Sequence, residues 1–354
     1  RLPAVGVHTV GAGGGSVAWI DAGGSLRVGP HSAGAVPGPA CYGRGGTDPT
    51  VTDAHAVLGR LDPGARLGGE LSIDSRRAEA AIARLAEPLD MSTRATAEGI
   101  LDLADEAMAR AIRRVTIEQG SDPRGSFLYA FGGAGGLHAT ALARTLGMVG
   151  VVIPPHGGCF SAVGLLLARP AADAAVSVIG LTVDEEVLGA TAVTALERAT
   201  GVLTAAGSAP SHSTFSVDVR YLGQAHEIGV PYRPGDSIEA ITDGFHMAHE
   251  QRNGYRRTGD PIEVVTVRAV VSSEPALRVE DLAPNTVADA RPPSTRSVWM
   301  GGIEVTASVV DRRSIGTGHV VDGPAIIEES EATTVVGPGE RLECLATGAM
   351  EITW

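Results

Sequence analysis

Four glycines among five residues, Gly132, Gly133, Gly135 and Gly136, stand between an apolar segment and a helical pattern. Ser126-Phe-Leu-Tyr-Ala-Phe131 reads as a buried strand, and a helix is expected from about Gly136 to Leu146. Val149-Gly-Val-Val-Ile153 reads as the next strand, ended by Pro154 and Pro155. This β-loop-α-β order predicts an α/β fold with a parallel or mixed sheet. Glycine lets backbone approach a ligand closely, and the first turn of a helix presents unpaired N–H groups. The segment is therefore either a nucleotide-binding turn, with its amides at the mouth of a cleft, or a tight connection that binds nothing.

A second glycine block, Gly11-Ala-Gly-Gly-Gly-Ser16, looks like a broken dinucleotide fingerprint. Such a fingerprint must open a helix. Here Val17-Ala-Trp-Ile20 is β-prone, Asp21-Ala-Gly-Gly24 signals a turn and Leu26-Arg-Val28 resumes a strand, so a hairpin is expected instead. The Gly/Pro-rich stretch from Val28 to Gly46 is too long for an idle loop and carries few charges. Residues 11–60 are expected to form a loop-rich wall of the cleft or an interface with a second subunit. Asp53 to Leu61 then reads as a short helix.

Two helices are expected next, Ser75 to Leu89 and about Thr96 to Gln119. The composition shifts near residue 170, which suggests domains at 1–172 and 173–354. In the later part, helices are expected at 182–206 and 237–253, a hairpin at 214–221 and 226–231, and β-patterns at 263–273, 296–310, 324–336 and 341–353. A formal charge of −13 argues against nucleic acid or an anionic membrane as partner. Apolar runs are too short to span a bilayer and no signal peptide is visible, so the expected compartment is cytoplasmic. Cys41, Cys159 and Cys344 form no C-x-x-C pair and read as free thiols. The chain opens at Arg1 and runs straight into apolar Val5 to Val10, which reads as the middle of a fold and as a strand edge able to promote homo-oligomers.

Five motifs occur in one order: Gly11 to Ser16, Ser32 to Gly46, Pro49-Thr-Val-Thr-Asp53, Phe131-Gly-Gly-Ala-Gly135 and Gly323-Pro-Ala-Ile-Ile-Glu328. Together they resemble the hydantoinase A / 5-oxoprolinase family over nearly the whole chain. The resemblance implies part of an actin-like ATPase lobe (ribonuclease H-like) followed by a β-rich α+β domain. It also implies ATP and Mg²⁺ as cofactors, and ATP-driven opening of hydantoin, N-methylhydantoin or 5-oxoproline, a cyclic-amide hydrolase of the EC 3.5.2 type. Acetone and acetophenone carboxylase subunits form a related branch, and a non-catalytic partner-binding fragment is a further alternative. A hydantoinase B-type subunit is the implied partner. The family's two Asp-x-Gly-Gly-Thr phosphate hairpins are not found in this sequence, so a missing N-terminal lobe and an inactive isolated chain are expected.

The candidate site residues follow from both readings. Gly132, Gly133, Ala134, Gly135, Gly136 and His138 are the nucleotide candidates. Asp53 and His55, near Asp48, are the catalytic candidates. Asp53 would hold magnesium or position water, or else simply cap the helix that follows it. His138 would face nucleotide or be a solvated structural residue. His31 and Tyr42 are placed for contact with substrate or partner, and Cys41 would need an activating neighbour to act as a nucleophile. His226-Glu227 and His246 with His249-Glu250 lack the H-E-x-x-H spacing and are expected on exposed faces.

Overall fold

The computed structural model describes residues 7–64, 66–67, 71–179, 183–278, 281 and 290–354. The chain packs as two units, Arg1–Val163 with Val279–Trp354, and Gly164–Arg278. The composition shift near 170 lies close to the first cut. Nothing local announces the second, because it depends on long-range pairing: Met350–Thr353 hydrogen-bonds antiparallel to Gly150–Ile153.

The first unit is built on four helices: α1 (Val51–Val57), α2 (Ser75–Ala86), α3 (Thr93–Val115) and α4 (Gly135–Thr145). The starts of the first three are set by side chains that accept otherwise unpaired amides. Thr50 caps α1, Asp74 caps α2 and Ser92 caps α3, three residues before the apolar period predicts that helix. A five-stranded sheet runs in the order Val320–Asp322, Arg341–Cys344, Met350–Thr353, Gly150–Ile153, Phe127–Tyr129. Its last two strands are parallel and joined through α4, so the predicted β-loop-α-β unit is present. The first of them is not buried, however. Phe127–Tyr129 is the sheet's edge, and Phe127, Tyr129 and Phe131 are 40%, 59% and 49% exposed. Val151, Ile153, Leu342, Met350 and Ile352 form the core beneath it, with Leu142 and Ala143 of α4.

Ser294–Met300, Ile303–Asp311, Ala325–Glu328 and Thr333–Val336 make a second, four-stranded sheet. The expected single β-run at 296–310 is thus two strands. Gly301 and Gly302 both take positive φ, 58° and 81°, and turn the chain where most side chains would be strained. The run at 324–336 is broken by a turn in which the Glu329 amide donates to Ala332. The early hairpin is as expected, Ser16–Ile20 against Leu26–Ser32. Its turn is held by Asp21, whose Oδ1 accepts from the amides of Gly23 and Ser25. Of the strand expected at Val5 to Val10, residues 5 and 6 lie outside the described residues, and residues 7–10 form no strand.

The second unit is a four-stranded antiparallel sheet, ordered Ala171–Ser177, Ile262–Ser272, His212–Tyr221, Ile228–Tyr232. Helices Glu185–Ala205 and Ile238–Asn253 supply Leu188, Ala192, Ile241 and Phe245 to its core. His226 is exposed as expected, but His246 and His249 are not. They point inward at positions 9 and 12 of their helix, where the Tyr221 hydroxyl lies 2.9 Å from His246 Nδ1 and the Tyr255 carbonyl 2.8 Å from His249 Nδ1. Those partners make burial of the rings tolerable.

Ile352 is fully buried in the returning strand. Ile352→Ala is expected to cost roughly 2–5 kcal/mol of stability. A urea midpoint unchanged from wild type would show that the return of the C-terminal strand contributes little to the first unit.

Candidate functional site

The site is assembled around α1. Asp53, the third residue of this helix, is fully buried. Its Oδ2 accepts from the amides of Ala40 and Thr50, at 3.2 and 2.9 Å, and from the Thr50 hydroxyl at 2.8 Å. Its Oδ1 accepts from the Cys41 amide at 2.7 Å. Thr50 in turn accepts from the Asp53 amide, which closes a capping box. Thr50, not Asp53, is therefore the N-cap. With four donors on its two oxygens, Asp53 clamps the turn at residues 40–42 onto α1. Ligating a metal would require it to give up bonds that offset the cost of its burial. The Cys41 thiol in the same turn is buried. Desolvation and then the Asp53 charge push its pKa well above the ordinary thiol range, the opposite of an activated nucleophile. His31 and Asp48 are exposed, and Tyr42 is half-buried.

One residue back on α1, Thr52 holds the first glycine block. Its amide and its hydroxyl both donate to the Gly14 carbonyl, at 2.9 and 2.8 Å. A Cβ at Gly14 would lie 2.8 Å from the Thr52 hydroxyl oxygen, so the contact requires glycine. The block is not a dinucleotide turn. It leads into the hairpin strand, with the Ser16 hydroxyl accepting from the Gly13 amide at 3.0 Å.

The second glycine loop lies beside the first. A Cβ at Gly14 would be 3.9 Å from that of Ala134, and Gly13 lines the same cavity as Ala134 and Gly135. Within this loop the Gly132 amide donates to Gly157 at 2.7 Å and the Gly135 amide to Gly132 at 3.1 Å. The amides of Gly133, Ala134 and Gly136 find no acceptor among the described residues. Ala134, the residue before α4, offers no side-chain cap. Unpaired donors and the positive end of the helix dipole therefore coincide here, as anion binding requires. The expectation that all five amides face outward fails at Gly132 and Gly135, whose amides are paired within the protein. The adjoining cavity has a volume of about 280 Å³ and mostly apolar walls, among them Met108, Leu128 and Leu142.

His138 closes one side of this cavity from the first turn of α4. It is neither solvated nor alone. Its Nδ1 lies 2.6 Å from Asp105 Oδ1 on α3, and its Nε2 lies 3.2 Å from Nε2 of His55 on α1. With His138 neutral, Asp105 accepts from its Nδ1–H, and its Nε2 accepts from Nε2–H of His55. His55 Nδ1 is buried without a partner. Burial first, then His138 and Arg60, hold His55 well below the usual histidine range. Arg60 is itself pulled down by burial and faces Asp105, Glu98 and Asp102.

The structure thus joins His55 to His138 and to both glycine loops, and separates Asp53 from them. Asp105 escaped the sequence reading because nothing in its local pattern marks it among the polar residues of α3. Thr52 escaped because its only signal is its place next to Asp53.

The first unit is thus a mixed α/β lobe with two glycine loops at the open N-terminus of a helix. The chain belongs to the hydantoinase/oxoprolinase family, whose model matches residues 1–174 and whose C-terminal domain model matches residues 213–345. It is 39% identical to an uncharacterised protein of Methanocaldococcus jannaschii over 96% of this chain and 49% of that one. It is 34% identical to the caprolactamase alpha subunit of Pseudomonas jessenii over 99% of this chain and 53% of the relative. The crystal structure of that ATP-dependent caprolactamase superposes with a TM-score of 0.74, covering 99% of this chain and 53% of that one. A nucleotide-free acetone carboxylase, 23% identical, shares the fold with a TM-score of 0.82 over 96% of this chain and 51% of that one. The chain spans about half the length of these two curated relatives.

Two outcomes test this geometry. Asp53→Ala strands the donors of Ala40, Cys41 and Thr50, and is expected to cost roughly 3–5 kcal/mol by urea denaturation. A loss of activity at unchanged stability would return Asp53 to a direct chemical role. The second concerns pH. Folded His55 stays neutral below 6.5, its ordinary value, while the unfolded chain takes up the proton. The unfolded state then binds more protons, so stability falls as pH drops below about 6.5, by up to about 1.4 kcal/mol per pH unit for one site. His55→Gln cannot take up that proton and is expected to flatten the midpoint-versus-pH curve between pH 7 and 5. An identical slope in the variant would locate the pH sensitivity elsewhere.

Proposed function

We propose that this chain is the nucleotide-holding part of an enzyme that opens a cyclic amide with ATP hydrolysis. The observation that carries the reading is the meeting of two glycine loops at the uncapped start of α4, where three amides have no protein acceptor. Those amides suit the anionic tail of a nucleoside triphosphate, and the apolar cavity beside them suits its less polar part. A ring amide resists attack by water. Transfer of phosphoryl to its oxygen makes the carbon electrophilic, and ATP supplies that group when bound. This chain's contribution is to hold and orient the phosphates.

The residues described here fit the anion better than its metal. Among them, no group of three or more His, Cys, Asp or Glu is placed to hold a metal ion, and Asp53 is fully occupied. No Mg²⁺ ligand is therefore assigned among the described residues. Hydrolysis of a lactam, hydantoin or 5-oxoproline is supported over ketone carboxylation by the 34% identity to a caprolactamase subunit. A hydantoinase B-type partner, self-association and a cytoplasmic site belong to the same proposal. No helix among the described residues is long and apolar enough to cross a membrane.

The test is phosphate release by the complete enzyme with caprolactam, hydantoin, N-methylhydantoin, 5-oxoproline, or acetone with bicarbonate. Stimulation by a ring amide is the expected result, with little turnover by this chain alone. Stimulation only by ketone and bicarbonate would move the protein to the carboxylase branch. Gly133→Val places bulk beside the free amides and against the Glu331 carbonyl, which a Cβ would meet at 3.0 Å. It is expected to weaken ATP binding about tenfold or more. Unchanged affinity would remove the loop from the nucleotide site.

A further inference from the structure

The nucleotide reading leaves one question: what holds two separate glycine loops at one spacing. They are more than a hundred residues apart in sequence, and neither donates a hydrogen bond to the other. We propose that α1 is a bracket between them, with Thr52 holding the first loop through Gly14 and His55 holding the second through His138, so that both are positioning residues for the nucleotide. The proposal rests on the assignment of the site to nucleotide.

Thr52 and His55 are three positions apart, on one face of α1 and about 4.5 Å apart along its axis. Each grips a different loop. Thr52 places two donors on one carbonyl oxygen, that of Gly14. His55 bonds to the inner nitrogen of His138, and Asp105 on α3 fixes the other nitrogen, so the first turn of α4 is tied from two sides. The bracket is itself immobile. Val51, Ala54 and Leu58 are 0–1% exposed and pack with Ile100, Leu101 and Ala104 of α3. Between the two grips, Asp53 fastens α1 to the turn at residues 40–42. A shift of α1 along its axis would therefore displace both loops. Displacements near 1 Å are enough to spoil a site made of fixed amides.

Packing alone does not explain His55. Its Nδ1 is buried and unpartnered, a liability that a leucine would not carry. The polar contact to His138 is what the histidine adds.

The experiment uses the complete enzyme and titrates a non-hydrolysable ATP analogue with Mg²⁺ by calorimetry, alongside KM and kcat for ATP and thermal midpoints. Thr52→Val keeps shape and loses the hydroxyl. His55→Leu keeps bulk and loses the donor. Each is expected to weaken the analogue and raise KM by roughly tenfold, about the worth of one well-placed hydrogen bond. Thr52→Ser and His55→Gln restore a donor at the same atom and are expected within about threefold of wild type. The His55→Leu midpoint is expected to equal or exceed that of wild type, since a purely structural effect would move affinity and midpoint together. If Gly133→Val weakens the analogue but Thr52→Val and His55→Leu bind like wild type, the bracket is wrong and the nucleotide site stands. If wild-type enzyme does not bind the analogue, or Gly133→Val leaves its affinity unchanged, the site assignment fails and the bracket with it. Should His55→Leu fail to fold, Thr52→Val decides, because it removes only a half-buried hydroxyl and leaves the Thr52 amide bond to Gly14 in place.

Discussion

The first unit depends on a carboxylate that water does not reach. Asp53 has no exposed surface, and no cation faces it within bonding distance. Moving a carboxylate into a protein interior is costly unless hydrogen bonds replace its hydration. Here three backbone amides and one hydroxyl do so, and each belongs to a segment that would otherwise lack a partner. Ala40 and Cys41 lie in a short 3₁₀ turn, and Thr50 is the cap of α1. One side chain thereby joins a Gly/Pro-rich loop to the helix that carries Thr52 and His55. Loops of that composition have little regular pairing of their own, so their conformation must be imposed from outside.

The helices pack closely enough for short polar side chains to meet. Ala109 of α3 and Ala139 and Ala143 of α4 share one core and are at most 1% exposed. Aromatic residues make up only 4% of the chain. A core filled by small side chains lets helix axes approach, since interaxial distance follows the bulk at the contact. Asp105 and His138, on different helices, then come within 2.6 Å. With bulkier residues in place of these alanines, the aspartate would not reach the imidazole, and the pair would be replaced by water.

Much of this was legible beforehand, for identifiable reasons. The helices showed themselves through apolar periodicity, while the caps Asp74 and Ser92 emerged only in the structure. The early hairpin was legible because Asp21-Ala-Gly-Gly24 is turn chemistry regardless of context. Strand exposure was not legible, because Phe127 and Tyr129 look the same in sequence at an edge as in a centre. The glycine loop was legible as a loop, but its neighbour was not. That Gly13 shares a cavity with Gly135 is a tertiary fact with no periodic trace. For the same reason the Asp48–Asp53–His55 window was misleading. Residues two apart near the start of a helix point in different directions, and Asp53 and His55 serve different partners.

The contact of two imidazoles carries a further consequence for the site. His138 has both ring nitrogens engaged, one by a carboxylate and one by a second histidine. A ring in that state has no lone pair left for substrate, so it cannot accept a proton from an attacking water without first releasing His55. His55 has a free nitrogen, but no solvent reaches it and burial disfavours its charged form. Neither histidine is therefore placed as the base that a ring-opening reaction needs. The chain Asp105–His138–His55 has the outward form of a catalytic relay, yet it ends inside the protein. Its geometry serves to fix a helix start, not to move a proton to or from the cavity.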